Sequence, residues 1–289
     1  MRYSKWLDAK IIKNYSFDNV FKKLKALIYH KLGDFFVNGT DNIIIAKVSS
    51  LAMLGYYSNY FLIISTATSV LSISSNAITA NIGGLIEKRN SAKTDSQFII
   101  HNLICSMMFM FVSVSFVINI DWFVVLWLGE SFVIGGVTKV LMALNLLLVG
   151  MRIIPGVYKN AAGFFEQDKF APILQGAINL LFSIILGYIY GVNGVLIGTL
   201  ISSILVPFWV RPYILYKYLL KSKQSIYWLN KMLIFILFFI FIFLSGNYNL
   251  VNVIDALLFN TIILVVVLAI SYFLLMYYRM GNNNEQSVS

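Results

Sequence analysis

The sequence predicts an all-α fold, a polytopic integral membrane bundle of about eight transmembrane helices. Three observations carry that reading. Of 289 residues, 59% are hydrophobic and 12% charged, whereas a soluble domain keeps about 25% charged residues to wet its surface. The mean hydropathy is +0.80. Apolar runs of the length a bilayer demands, roughly 20 residues per helix, recur down the chain with clusters of basic residues between them.

Residues 1–31 form a cytoplasmic or interfacial segment. It is studded with charge and holds no apolar run of the kind that makes a secretory signal core. Phe17, Val20, Phe21, Leu24, Leu27 and Ile28 recur there at helical spacing while Lys22, Lys23 and Lys25 project elsewhere. That is the pattern of an amphipathic helix lying along the membrane surface. Residues 32–220 carry six spans, near 32–48, 51–73, 98–120, 138–158, 172–190 and 194–216. Asp34, Asn38, Asp41 and Asn42 interrupt the first of these. Residues 221–280 supply two more spans, near 231–247 and 255–278, and the stretch LIFILFFIFIF has no polar side chain at all. The polar residues 281–289 are expected to be a disordered cytoplasmic tail.

Topology follows from the basic residues. With eight alternating spans, 20 of the 22 Lys and Arg fall on one side and two, Lys47 and Lys139, on the other. Cytoplasmic loops collect Lys and Arg, so both termini are expected in the cytoplasm. The same rule accounts for the net charge of +10 without nucleic acid as a partner.

Polar residues inside the spans carry what chemistry there is. A charge at the bilayer centre costs roughly 2.5–3.5 kcal/mol on insertion scales, so it faces protein or water. His30, Asp34, Asn38 and Asp41 follow one another at spacings of four, four and three on the first span. Ser58, Ser65, Ser69, Ser72 and Asn76 form a stripe on the second. On the fourth, Thr138, Asn145, Arg152 and Lys159 recur every seven residues, a period that drifts only about 20° per step. Three polar seams predict a shared hydrated cavity, its cationic end at Arg152 and Lys159 toward the cytoplasm. Two plainer roles compete: span serines often bond only the preceding turn, and Lys159 and Arg211 suit headgroup anchors. Asp41, with its short side chain, has no such escape. Pro155, just after Arg152, and Pro207 and Pro212 in the sixth span mark bends. Gly194, Gly198 and Ser202 form a small-residue packing face.

Several chemistries are excluded. Cys105 is the sole cysteine and His30 and His101 the only histidines, so no disulfide or multi-cysteine metal cage is expected, nor any metal or cofactor. No phosphate-binding glycine-lysine-serine loop and no Gly-x-Ser-x-Gly elbow occur. A cavity-bearing transporter is expected rather than an enzyme.

The segment TDNIIIAKVSSLAMLGYYSNYFLI, with Asp41 followed by Gly55-Tyr56-Tyr57, resembles the opening of the second half of Wzx-type polysaccharide flippases. These are oligosaccharide translocases of the multidrug/oligosaccharidyl-lipid/polysaccharide superfamily. NAAGFFEQDKFAPILQGAINLLFSIILGYIYGVNGVLIGTLIS resembles their later helices, and residues beyond 230 resemble the two extra peripheral helices of fourteen-span members. The resemblance implies the C-terminal half of a transporter in the bacterial cytoplasmic membrane: a C-terminal fragment, a split gene product, or the partner of a separate N-terminal lobe. It implies a lipid-linked glycan substrate flipped by alternating access, beside the glycosyltransferases and polymerase of a polysaccharide pathway. Arg152, with Lys159 and Arg211, would attract pyrophosphate or acidic sugars; Asn145 and Asn38 would contact sugar hydroxyls; Asp41, with Asp34 nearer the interface, would bind a coupling ion. A cation-coupled drug antiporter of the same superfamily and a membrane glycan polymerase or ligase remain as alternatives.

Overall fold

The computed structural model describes residues 17–88, 91–247 and 253–286. Its helices are α1 (Phe17–Val48), α2 (Leu51–Asn76), α3 (Thr79–Glu87), α4 (Ser91–Leu128), α5 (Gly136–Ala161), α6 (Ala171–Tyr190), α7 (Val192–Leu205), α8 (Pro207–Tyr218), α9 (Gln224–Asn247) and α10 (Val253–Gln286). A 3-10 turn, Glu130–Phe132, joins α4 to α5, and no strand occurs among the described residues. Seven helical segments among them are long and apolar enough to cross a membrane. Large apolar side chains are exposed on nearly every helix, including Leu62, Leu126, Ile185, Phe243 and Leu268. Soluble proteins rarely expose contiguous apolar surface on that scale. The chain is an all-α, multi-pass membrane bundle.

α5 is the hub, packed against α2, α3, α4, α7 and α8. Its Met142, Leu146, Leu147, Met151 and Ile154 are buried, at spacings that keep them on a broad apolar face. α6 and α7 pair tightly because glycine removes the side chains that would hold them apart. Gly191 at φ 61° makes the reversal between them, a backbone conformation that only glycine adopts readily. Cβ atoms built at Gly194 and Gly198 would stand 1.9 Å from the Leu186 carbonyl oxygen and 2.5 Å from the Ser183 amide. The small-residue face is thus the α6–α7 contact. α1 meets α6 the same way: a Cβ at Gly33 would lie 2.4 Å from Pro172.

The terminal pair α9 and α10 packs on α4. Tyr227, Lys231, Ile234, Phe238 and Phe241 form the buried stripe of α9; Phe259, Ile263 and Val267 form that of α10. The first repeats at four and three residues and the second at four, and the remaining faces are largely exposed. Asn260 Nδ2 donates to Asn119 Oδ1 of α4 at 3.1 Å.

Several boundaries differ from the sequence expectation. The first expected span is not among the seven apolar segments, because Asp34, Asn38, Asp41 and Asn42 dilute it. It is instead the C-terminal half of one uninterrupted helix, Phe17–Val48 among the described residues, so no break separates residues 31 and 32. Once a helix is nucleated, extension is cheap, and the amphipathic stretch simply continues into the bundle. Phe21, Leu24, Leu27 and Ile28 on it are exposed. The expected connection before residue 98 is filled by α3 and by the first turns of α4. The sixth span divides into α7 and α8 at Val206–Pro207. The tail expected to be disordered is helical to Gln286, extending α10 for the same reason of cheap propagation; residues 287–289 lie outside the described residues.

Candidate functional site

A cavity of about 280 Å³ opens among α1, α2, α5 and α7. Each helix delivers polar groups to it by simple periodicity. α5 places Asn145 and Arg152 two turns apart on one face, and α7 places Thr199 and Ser203 one turn apart. α2 contributes Tyr57, Ser65, Thr68 and Ser69, and α1 contributes Asp41. Asp41, Asn145 and Arg152 therefore share one void.

Hydrogen bonds decide what each group offers. Asn179 Nδ2 of α6 donates to Thr199 Oγ1 at 3.0 Å, and Thr199 Oγ1 donates to Asp41 Oδ2 at 2.9 Å. Thr199 has one hydroxyl proton, and the Val195 carbonyl at 3.2 Å competes for it. Asp41 Oδ1 is buried with no hydrogen-bond partner among the described residues, and a buried carboxylate oxygen in that condition calls for a cation or a proton. One turn along α7, Arg152 Nη1 donates to Ser203 Oγ at 3.1 Å. Asn145 spends both amide hydrogens on carbonyls, those of Leu141 at 3.0 Å and Leu196 at 3.2 Å, and so presents an acceptor oxygen. Ser65, Thr68 and Ser69 donate to carbonyls of the preceding turn of α2, leaving oxygen lone pairs for the cavity. The chamber thus has an acidic end, a basic end and a wall of acceptors.

Other expected site residues lie elsewhere. Lys159 does not line the cavity, and it is no headgroup anchor either: it is 3% exposed, and its Nζ lies 2.5 Å from Asp168 Oδ2. The other carboxylate oxygen, Oδ1, lies 3.1 Å from His30 Nε2 of α1. This cluster ties α1, α5 and the connection before α6. Burial acts to raise the Asp168 carboxyl's pKa, but His30 and the Lys159 ammonium outweigh it and hold the group below the ordinary aspartate value. Arg211 reaches behind the cavity, where its Nη1 donates to the Arg152 carbonyl at 3.1 Å. The side chains of Asp34 and Asn38 lie outside the described residues. His101 lies on α4 with Nδ1 2.9 Å from Tyr158 Oη.

Sequence reasoning missed Thr199, Ser203 and Asn179, although Thr199 and Ser203 stand four apart in an apolar stretch, the same signal that marked α1. Lys231 was counted with the basic connections; it is 1% exposed inside α9, bonded to α4 and α5. A second, smaller cavity of about 150 Å³, beside Ser75, His101 and Cys105, is walled mainly by apolar side chains. No cluster of three or more metal-ligating side chains occurs among the described residues.

Fold and cavity together define the class: a multi-pass helical membrane protein enclosing a bipolar chamber. No family model, curated protein or solved structure matches the chain.

Proposed function

We propose that this chain is a transporter lobe of the flippase type. It moves a lipid-linked oligosaccharide or polysaccharide repeat unit across the bacterial cytoplasmic membrane by alternating access, with both termini in the cytoplasm and a first lobe, on the same or another chain, completing the path. The observation that carries the reading is the convergence of Asp41 from α1 and of Asn145 and Arg152 from α5 on one cavity. Polar groups are costly at membrane depth and mark a substrate or ion route where they gather. Arg152 supplies a charge-assisted bond for a phosphate or acidic sugar. The acceptors on Asn145, Ser65 and Ser69 suit the hydroxyl donors of a glycan, and Asp41 takes the coupling cation or proton. Lys159 and Arg211, engaged elsewhere, set the framework rather than touch cargo. The lipid bilayer and the enzymes that build and polymerise the glycan are the partners this reading implies.

Arg152→Ala, in the complete transporter reconstituted in liposomes, is expected to cut export of a lipid-pyrophosphate-linked glycan at least tenfold. Unchanged export would remove Arg152 from the cargo site. A second reading, a cation-coupled drug antiporter, draws on the unpartnered oxygen of Asp41, a fitting site for a cationic drug or its counter-ion. Parallel drug-efflux and glycan-export assays in one deletion strain separate the two.

A further inference from the structure

Among the described residues Lys231 is the most deeply buried charge-bearing side chain outside the cavity, and the proposed transport cycle does not use it. Its three described hydrogen bonds run to the Asn102 Oδ1 at 2.9 Å, the Ser106 Oγ at 2.8 Å and the Met151 carbonyl at 2.8 Å. The Tyr227 ring, on its own helix, lies 5.0 Å from Nζ. An ammonium has three donors and no acceptor, so these bonds use all of them, and every partner is neutral. Burying a cation against neutral groups is costly. The Met151 bond explains what it accomplishes.

Proline at helix position i has no N–H for the carbonyl at i−4, and its ring pushes against that carbonyl. Pro155 lies inside α5, and four residues back is Met151. The carbonyl that Pro155 deprives of its partner is the one Lys231 binds. Arg211 binds the next carbonyl, that of Arg152, and Gly156 makes room for it: a Cβ there would stand 3.2 Å from Arg211 Nη1. Lys231, from α9, thus stands in for the donor that Pro155 lacks, and Arg211, from α8, adds a donor to the next carbonyl, that of the residue whose side chain enters the cavity.

We infer that Lys231 is a positioning residue: by capping the carbonyl that Pro155 leaves open, it sets the bend of α5 and hence where Arg152 stands in the chamber. The peripheral pair α9–α10 is therefore a part of the cavity's mechanics rather than lipid-facing packing alone. The inference concerns the geometry of α5 and holds whichever cargo the chamber takes.

A double-mutant cycle with a distance readout tests it. Spin labels at Val137→Cys and Asn160→Cys, both exposed, in a Cys105→Ser background flank Pro155 on α5; a straight helix would set them about 35 Å apart at 1.5 Å per residue. With the full chain in nanodiscs, Lys231→Met is expected to broaden and shift the pulsed-EPR distance distribution. Pro155→Ala restores the N–H and is expected to lengthen the distance toward the straight value. In that background Lys231→Met is expected to change the distribution no further. No shift from Lys231→Met in the parent, or an equal shift in both backgrounds, overturns the inference, because a plain packing role does not depend on Pro155. Should Lys231→Met fail to insert, Ser106→Ala, which removes one of the lysine's acceptors, runs through the same cycle. The same two results decide: a shift only in the proline background supports the inference, and an equal shift or none overturns it.

Discussion

Individual side chains in this protein are settled by where a charge finds its partners. Asp168 is 6% exposed, and removing one member of a buried pair typically costs about 3–5 kcal/mol. Asp168→Asn is accordingly expected to lower unfolding stability by about that amount, with Lys159→Met on top of it adding little. The pH dependence follows from the direction of its shift. A carboxyl held below its ordinary value of 3.8 stabilises the fold above that value and ceases to do so as pH falls through the lower, folded one. Thermal unfolding from pH 8 to pH 5 should show no loss from this group, and the acid limb below pH 4 should be shallower in Asp168→Asn. An identical acid limb in both proteins would remove Asp168 from the account. None of this was visible in sequence. Lys159 lies on the seven-residue stripe of Arg152, but α5 ends two residues later, and the returning connection brings Asp168 against it.

At the scale of elements, tight pairs rest on absent side chains. Alanine favours a helix over glycine by about 1 kcal/mol, so a Gly→Ala change in an open helix should stabilise. Gly83 in α3 has nothing within 4 Å of an added Cβ, and Gly83→Ala is expected to raise stability by up to about 1 kcal/mol. Gly194→Ala should do the reverse. Its Cβ would stand 1.9 Å from the carbonyl oxygen of Leu186, backbone that cannot swing aside, so α6 and α7 must part. Unfolding in detergent that ranked the two substitutions the other way would refute the packing described for that pair. The helices themselves were largely legible: seven of the eight expected spans correspond to apolar segments, because a bilayer imposes length and composition. Their ends were not. Ser91–Gln97 opens α4 with polar residues that no hydropathy pattern assigns to a helix. The continuity of α1 through Lys31 escaped because its two halves differ in composition but not in backbone.

For the whole molecule, the polar seams announced a common chamber, and Asp41, Asn145 and Arg152 do share one. Helical periodicity gives each residue a face but not a neighbour. The sequence could therefore align Asn145 with Arg152 on α5, yet gave no sign that Thr199 would stand beside Asp41 or that Lys231 would reach the carbonyl below Arg152. Those contacts depend on the order in which the helices pack, which no local pattern encodes. The central claim is that this chamber admits water from one side of the membrane. Single cysteines at Ser69 and Asn145, placed in a Cys105→Ser chain in sealed vesicles, test it with a membrane-impermeant thiol reagent. Both are expected to react from the same side, while a cysteine at lipid-facing Leu268 stays unmodified. Protection of both cavity positions from either side would contradict the account.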